Sequence, residues 1–192
     1  NSLKDGGCAG IILNTVARAQ DFAQKLSECF PECEMIQMHS QFIISDRAEI
    51  EREILKRAGK NSTPEQRNKL IIVGTQVLEQ SLDIDFDVMI TDLCPMDLLL
   101  QRIGREHRHK GRKRPLCLQK AKCYVLTETR GVYDKWLLQR TADKLPEHFC
   151  LPDDIPVYVQ KVYAEPEKCE KNELWHRYDT NLKKLKKEAE RS

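Results

Sequence analysis

The residues best able to do chemistry lie in QRIGREHRH, residues 101–109, and in the KGRKRP that follows. Seven Lys or Arg side chains fall between 101 and 115 against one acid, Glu106. A solvated basic helix end or a nonspecific nucleic-acid patch would explain the charge. It would not explain the leading Gln101, the Gly104, or Arg105 and Arg108 placed three residues apart. On a continuing helix, residues i and i+3 share a face, so these two guanidiniums converge on one target. Two planar, permanently charged forks suit a phosphate whose charge grows in a transition state. Gly104 allows close backbone approach. Glu106, rotated about 100° from Arg105 on such a helix, is expected to point away from that target or to pair with Arg102 or Lys110. The run from Lys110 to Arg114 reads either as a nucleic-acid contact of its own or as a solvated surface.

A second block, IIVGTQVLEQSLDIDFDVMITDLCP, covers residues 71–95. Its buried strand delivers Thr75 and Gln76 to the carboxyl end, where α/β folds place ligands. Thr75 then opens a short helical stretch, offering a hydroxyl and backbone N–H groups to an anion. Asp83, Asp85 and Asp87 alternate with Ile84 and Phe86. Asp85 and Asp87 read as turn formers ahead of a strand, and Asp83 as the better acceptor for a ribose hydroxyl.

The elements that position these blocks follow from hydrophobic spacing. GIILN (10–14), EMIQMHS (34–40), KLIIVGT (69–75), FDVMIT (86–91) and KCYVLT (122–127) read as strands. Between them lie a helix from about Val16 stopped by Pro31, a helix capped by Asp46, and one from about Asp97 to Arg105. Strands alternating with helices predict an α/β fold, a parallel sheet with helices on both faces. Past Thr129, Pro146, Pro152, Pro156 and Pro166 break the chain into short pieces. A lobe over 1–130, a Pro-containing linker or wrapping segment over 131–171 and a Lys-rich C-terminal helix over 172–192 are therefore expected. That helix places Leu174, Trp175, Tyr178, Leu182 and Leu185 on one face and lysines on the other, the latter read as solvated.

In the 192 residues, 32 basic side chains nearly balance 30 acidic ones, and 40% are apolar, enough to close a core. No apolar run approaches a membrane span, which excludes a membrane partner, and no signal peptide opens the chain. The eight cysteines show no CxxC and no His at a zinc-finger offset, so reduced structural thiols in a cytoplasm are expected, with no metal site. The first residue is Asn1, which suggests a piece of a longer protein.

The two blocks together resemble motifs V and VI of superfamily 2 helicases. TQVLEQSLDIDFDVMITDLCP and the HRH ending are most similar to the CRISPR-associated helicase-nuclease of type I systems. MHSQFIISDRAEIE (38–51) resembles that family's segment after the second strand, and LNT (13–15) the motif ending the first. The resemblance covers about 10–128 and implies the second RecA-like lobe of a helicase motor. ATP would sit between two lobes of one chain, with its magnesium bound mainly by the first. Single-stranded DNA would cross both lobes. Arg105 and Arg108 would be arginine fingers, Gln101 would position the nucleotide, and Asp83 would touch its ribose. Thr15 and Thr75 would hold DNA phosphates, with Ser40 a further candidate. His39 is as readily a structural hydrogen bonder as a contact, and Arg102 is expected to pair within the protein. Gln76 and Glu79 match the motif without an assigned chemistry.

No GxxxxGK[ST] loop, DExx pair or nuclease-type His and Asp cluster occurs in the sequence. The expectation is therefore half an active site, inactive alone, from a prokaryotic cytoplasmic DNA translocase in CRISPR antiviral defence. An RNA-guided surveillance complex would be its partner. The alternatives are a stand-alone nucleic-acid-binding or adaptor module, and the corresponding lobe of an RNA helicase. EQSLDIDFD argues against the commonest RNA helicases, where an Arg-Gly pair usually precedes the Leu-Asp.

Overall fold

A computed structural model of the chain describes residues 2–80, 82–128 and 132–189, with Ile44 and Gln80 described by their backbone alone. Ser81 of the EQSLDID motif, the expected boundary at 130/131 and positions 190–192 of the terminal helix lie outside the described residues. The chain forms two compact units, one of residues 1–93 and 98–129, the other of residues 94–97 and 130–192.

The first unit is built on β1 (Cys8–Ile12), β2 (Glu34–Met38), β3 (Leu70–Gly74), β4 (Val88–Asp92) and β5 (Cys123–Leu126). All neighbours pair in parallel, in the order β2-β3-β1-β4-β5. The expected strands are all present; β2 to β5 are shorter, and β1 keeps five residues but begins two earlier, at Cys8. Leu13 and Asn14 leave β1 for other partners, Leu13 N–H donating to the Gly74 carbonyl at 2.9 Å and Asn14 N–H to Asp92 at 3.0 Å.

Period-two alternation along the central strands sorts the core onto two faces. Cys8, Ile12, Leu70, Ile72 and Met89 face one way and meet Ile54 and Ala58 of α2 (Ile44–Ala58). Ala9, Ile11, Ile71, Val73 and Val88 face the other way and meet Ala19 and Ala23 of α1 (Val16–Cys29). Thr15 caps α1, its hydroxyl accepting from Arg18 N–H, and the helix ends ahead of Pro31 as expected. The start of α2 differs. Its N-cap is Ile43, with no side-chain hydrogen bond, and Asp46 lies inside the first turn, where a negative charge still favours the helix dipole.

Two further helices complete the frame of the motifs. Short α3 (Val77–Gln80) follows β3, and α4 (Met96–Ile103) follows β4. The helix expected to reach Arg105 thus stops two residues short of it.

In the second unit, the stretch expected as a Pro-containing linker or wrapping segment, 131–171, carries helices of its own. That stretch contains α5 (Lys135–Asp143) and α6 (Asp154–Tyr163), and with α7 (Glu173–Ala189) it forms a small helical cluster. Helix α5 packs against both others. Trp136 lies 4.7 Å from Trp175 and 4.9 Å from Tyr178, ring centre to ring centre, and the Arg140 guanidinium covers the Trp136 ring. Tyr163 donates to Asp97 at 2.6 Å. On α7, Trp175 is buried and Leu174, Tyr178 and Leu182 are partly buried, whereas Leu185 and the lysines are exposed.

Gly10 marks a point of close packing on the α2 side of the sheet. A Cβ there would lie 2.4 Å from the Phe86 ring, which is fully buried against the strand. Gly10→Ala should therefore overpack this face and cost about 1–3 kcal/mol. The expected reading is a lower urea midpoint with an unchanged slope.

Candidate functional site

The strand ends divide the candidate residues into two groups. At the carboxyl edge stand Thr15 just after β1, Ser40 after β2, and Thr75 after β3. Ser40 is exposed and Thr15 partly so. Thr75 is not presented to solvent. Its hydroxyl is buried with no hydrogen-bond partner among the described residues, and its N–H donates to the Met38 carbonyl at 3.3 Å. The next residue, Gln76, is the exposed one. His39 is buried, stacks on Phe42 at 4.3 Å, and has its pKa lowered by burial, all of which fits a structural side chain.

Beneath this edge lies Arg102, with no exposed surface at all. Its Nε donates to Glu79 at 2.6 Å, and its Nη1 reaches Asn14 Oδ1 at 3.0 Å and Thr91 Oγ1 at 2.9 Å. The expectation of internal pairing is met, and Glu79 acquires the role it lacked as the counter-ion. Asp92 extends the network to Arg18 at 2.9 Å and to the Asn14 N–H. One guanidinium thus ties together the ends of β1 and β4, the short helix α3, and its own helix α4.

The arginine block lies at the opposite edge. Helix α4 runs back from the end of β4 for eight residues, about 12 Å. Gly104 then closes the helix, its N–H donating to the Leu100 carbonyl at 2.9 Å, where an added Cβ would sit 3.2 Å from that oxygen. From Arg105 on, the backbone is no longer helical. Phe86 N–H donates to the Arg105 carbonyl at 2.8 Å, His107 N–H donates to the Phe86 carbonyl at 3.0 Å, and His107 has a φ of 48°. The shared helical face expected for Arg105 and Arg108 therefore does not exist. Arg105 Nη2 instead donates to the Glu79 carbonyl at 2.7 Å, and Arg108 Nε donates to Asp83 at 2.7 Å. Burial first, then the Arg108 charge, lowers the pKa of Arg105. The two guanidiniums are close enough to repel. Asp83 is exposed and also receives His109 at 3.1 Å, and these bonds to Arg108 and His109 lower its pKa. Gln101 is exposed at the end of α4.

Glu106 takes the first of its two expected courses, its side chain leaving on the side away from that of Arg105. It pairs with neither Arg102 nor Lys110. It turns inward to accept the Lys122 N–H at 2.6 Å, and burial pushes its carboxyl up to about 7.

The largest finding missing from the sequence reading concerns Asp85 and Asp87. They are not turn formers but buried anions. Arg114 donates to both oxygens of Asp85, at 2.8 and 2.9 Å, and pairs with Asp87. Arg112 pairs with Asp85 and donates to the carbonyls of Ser62 and Gly59, and Arg67 lies 3.0 Å from Asp87. Asp87 also accepts the Cys8 N–H at 2.7 Å, fixing the start of β1. Burial, opposed by the Arg67 charge and aided by Asp87 and Asp85, pushes the adjacent Cys8 thiol up to about 12. A signal was available: two acids spaced by two residues and two arginines spaced by two residues are a matching pair of forks. The run from Lys110 to Arg114 is thus half internal, and only Lys110 and Lys113 of its charged side chains are exposed.

Against this geometry, a family model described as CRISPR-associated nuclease/helicase Cas3, C-terminal, matches residues 5–111. The CRISPR-associated nuclease/helicase Cas3 of Streptococcus thermophilus is 49% identical over 170 residues, covering 84% of this chain and 18% of that protein. The CRISPR-associated endonuclease/helicase Cas3 of Escherichia coli (strain K12) is 45% identical over 107 residues, 55% of this chain and 12% of that protein. Among solved structures, T. fusca Cas3 with AMPPNP superposes with a TM-score of 0.83 at 33% identity, covering 95% of this chain and 22% of the other. A chain of a CRISPR RNA-guided surveillance complex in a pre-nicking state does so at 0.79 and 32%, covering 96% and 24%. The chain therefore spans less than a quarter of the length of these relatives.

The division of the basic run is measurable. Removing Arg114 leaves Asp85 and Asp87 buried without their main counter-ion, so Arg114→Ala should cost about 3–5 kcal/mol. Lys113→Ala, one residue away on the surface, should stay within about 0.5 kcal/mol. Denaturant midpoints of the two variants should separate accordingly, and equal midpoints would contradict the buried-pair assignment.

Proposed function

The chain belongs to the Cas3 family, as part of its C-terminal helicase region, and from that premise we propose that it is the second RecA-like lobe of an ATP-dependent single-stranded DNA translocase in CRISPR antiviral defence. The observation that carries the reading is how the arginines are sorted. Arg102, Arg112 and Arg114 are buried in internal pairs, which leaves Arg105 and Arg108 as the guanidiniums of the 101–115 block with surface to offer a ligand.

In this reading Arg105 and Arg108 act as fingers on the γ-phosphate of ATP held by the first lobe of the same chain. The Arg108–Asp83 pair joins two exposed side chains, so opening it costs at most about 1 kcal/mol. A nucleotide between them would take Arg108 for its phosphate and leave Asp83 to accept from its ribose. An anion placed there also relieves the repulsion between the two guanidiniums. Gln101 and the backbone at Gly104 complete the nucleotide-facing surface. Asp85 and Asp87 are held by arginines, and among the described residues no group of three or more His, Cys, Asp or Glu is placed to hold magnesium. The first lobe would hold it.

The carboxyl edge would track DNA. Thr15, Ser40 and the turn from Thr75 to Val77 line it, and backbone N–H groups there can hold phosphates without reading bases. Thr75 would need to turn its hydroxyl outward to join them. The match to a chain of a surveillance complex supports such a complex as the partner. A prokaryotic cytoplasm is the compartment such a system implies, and among the described residues no helix is long and apolar enough to cross a membrane.

The test is ATP turnover by the complete protein. Arg105→Ala or Arg108→Ala should lower kcat on the order of 10³-fold while changing the ATP KM little, because fingers act on charge that develops in the transition state. The isolated chain should show no turnover. A loss confined to KM would make the arginines ground-state binders. Unchanged turnover in both variants would favour an adaptor role for the chain.

A further inference from the structure

Glu106 is the one acid in the basic block, and its surroundings give it a task. The segment 105–107 bridges in parallel to Phe86, through the Phe86 N–H to Arg105 carbonyl bond and the His107 N–H to Phe86 carbonyl bond. In an extended bridge successive side chains leave on opposite sides. The contacts bear this out: Arg105 goes to the Glu79 carbonyl, while Glu106 goes to the Lys122 N–H at the entry to β5. The Met89 backbone offers the same carboxyl a second hydrogen bond, Arg114 attracts it, and Asp85 repels it. Only 9% of Glu106 is exposed.

These bonds matter because little else holds the backbone on the β5 side. Helix α4 has ended at Ile103, so Arg105 is not carried on a rigid rod. Its main chain is fixed by turn bonds to Arg102 and Ile103, by the bridge to Phe86 ahead of β4 and, through Glu106, by the entry to β5.

We propose that Glu106 is a positioning residue: by clamping to the Lys122 N–H it fixes the backbone from which Arg105 projects toward the nucleotide. The inference rests on the reading of Arg105 and Arg108 as fingers. What the clamp requires is an acceptor at a set reach, not a negative charge. Glutamine supplies the same carbonyl oxygen at the same distance. Aspartate keeps the charge but falls one methylene short.

In the complete protein, Glu106→Gln should keep kcat for DNA-stimulated ATP turnover within about twofold. Glu106→Asp should lower it on the order of ten- to a hundredfold with the ATP KM nearly unchanged, the effect of displacing a catalytic group by about 1 Å. Lys122→Pro, which deletes the donor from the other side, should reproduce the loss. Hydrogen exchange at the Lys122 amide should stay slow in the parent and in Glu106→Gln and become fast in Glu106→Asp. Parental turnover in Glu106→Asp, or equal losses in the Asp and Gln variants, would overturn the proposal. Arg105→Ala measured alongside separates the two readings. If it leaves turnover intact, the finger assignment itself fails. If it abolishes turnover while Glu106→Asp does nothing, only the positioning role is lost.

Discussion

The buried guanidinium of Arg102 is the interaction on which the architecture of the site depends. Taking such a charge out of water is expensive, and it is tolerated only where geometry and hydrogen bonding are nearly complete. Here Glu79, Asn14 and Thr91 come from three separate segments, so the bond set forms only when those segments are in register. Arg102 thereby fixes the angle at which α4 leaves the sheet. That angle sets where the chain leaves α4 at Ile103; the bridge to Phe86 and the Glu106 bond set the course of the residues beyond.

The same helix separates two surfaces with different tasks. One end belongs to the strand termini that would grip a phosphate backbone, the other to the arginines that would face a nucleotide. The last turn of α4 carries Arg102, which reaches back to Glu79 and the strand ends, and beyond the helix the Asp85, Asp87, Arg112 and Arg114 cluster forms a lower anchor. The charge that looks like a nucleic-acid patch in the sequence is largely the material of the lower anchor.

Hydrophobic period made the parallel sheet and its flanking helices legible, because Cys8, Ile12 and Ala9, Ile11 must choose opposite faces. The motif spacing singled out Arg105, Arg108 and Asp83 as candidates, of which the structure joins Arg108 to Asp83, and the resemblance led to the expectation that Arg102 pairs internally, as it does. What spacing could not supply was the end of α4. The i, i+3 argument assumes a helix, and Gly104 followed by the bridge to Phe86 ends it. The fates of Asp85, Asp87 and Glu106 were hidden for a different reason: each is decided by a partner at least sixteen residues away, Lys122 being the nearest. Local propensity has no access to such pairings. Two helices of the second unit, α5 and α6, were obscured by prolines, whereas α7 was legible from its apolar face. Pro146 and Pro152 precede α6, and Pro156 sits in its first turn, where a missing N–H is harmless.

Cys8 sits where β1 begins, its backbone held by Asp87 and its thiol kept protonated by burial. Thiolate is the form that reacts with alkylating reagents and disulfides. Cys29, Cys117, Cys150 and Cys169 are exposed and open to such reagents, whereas Cys8 becomes reactive only when the amino edge of the sheet parts from its ion cluster. The native sequence therefore contains its own clock for that opening. The rate at which this single thiol is labelled times the local unfolding of the edge, with no engineered probe.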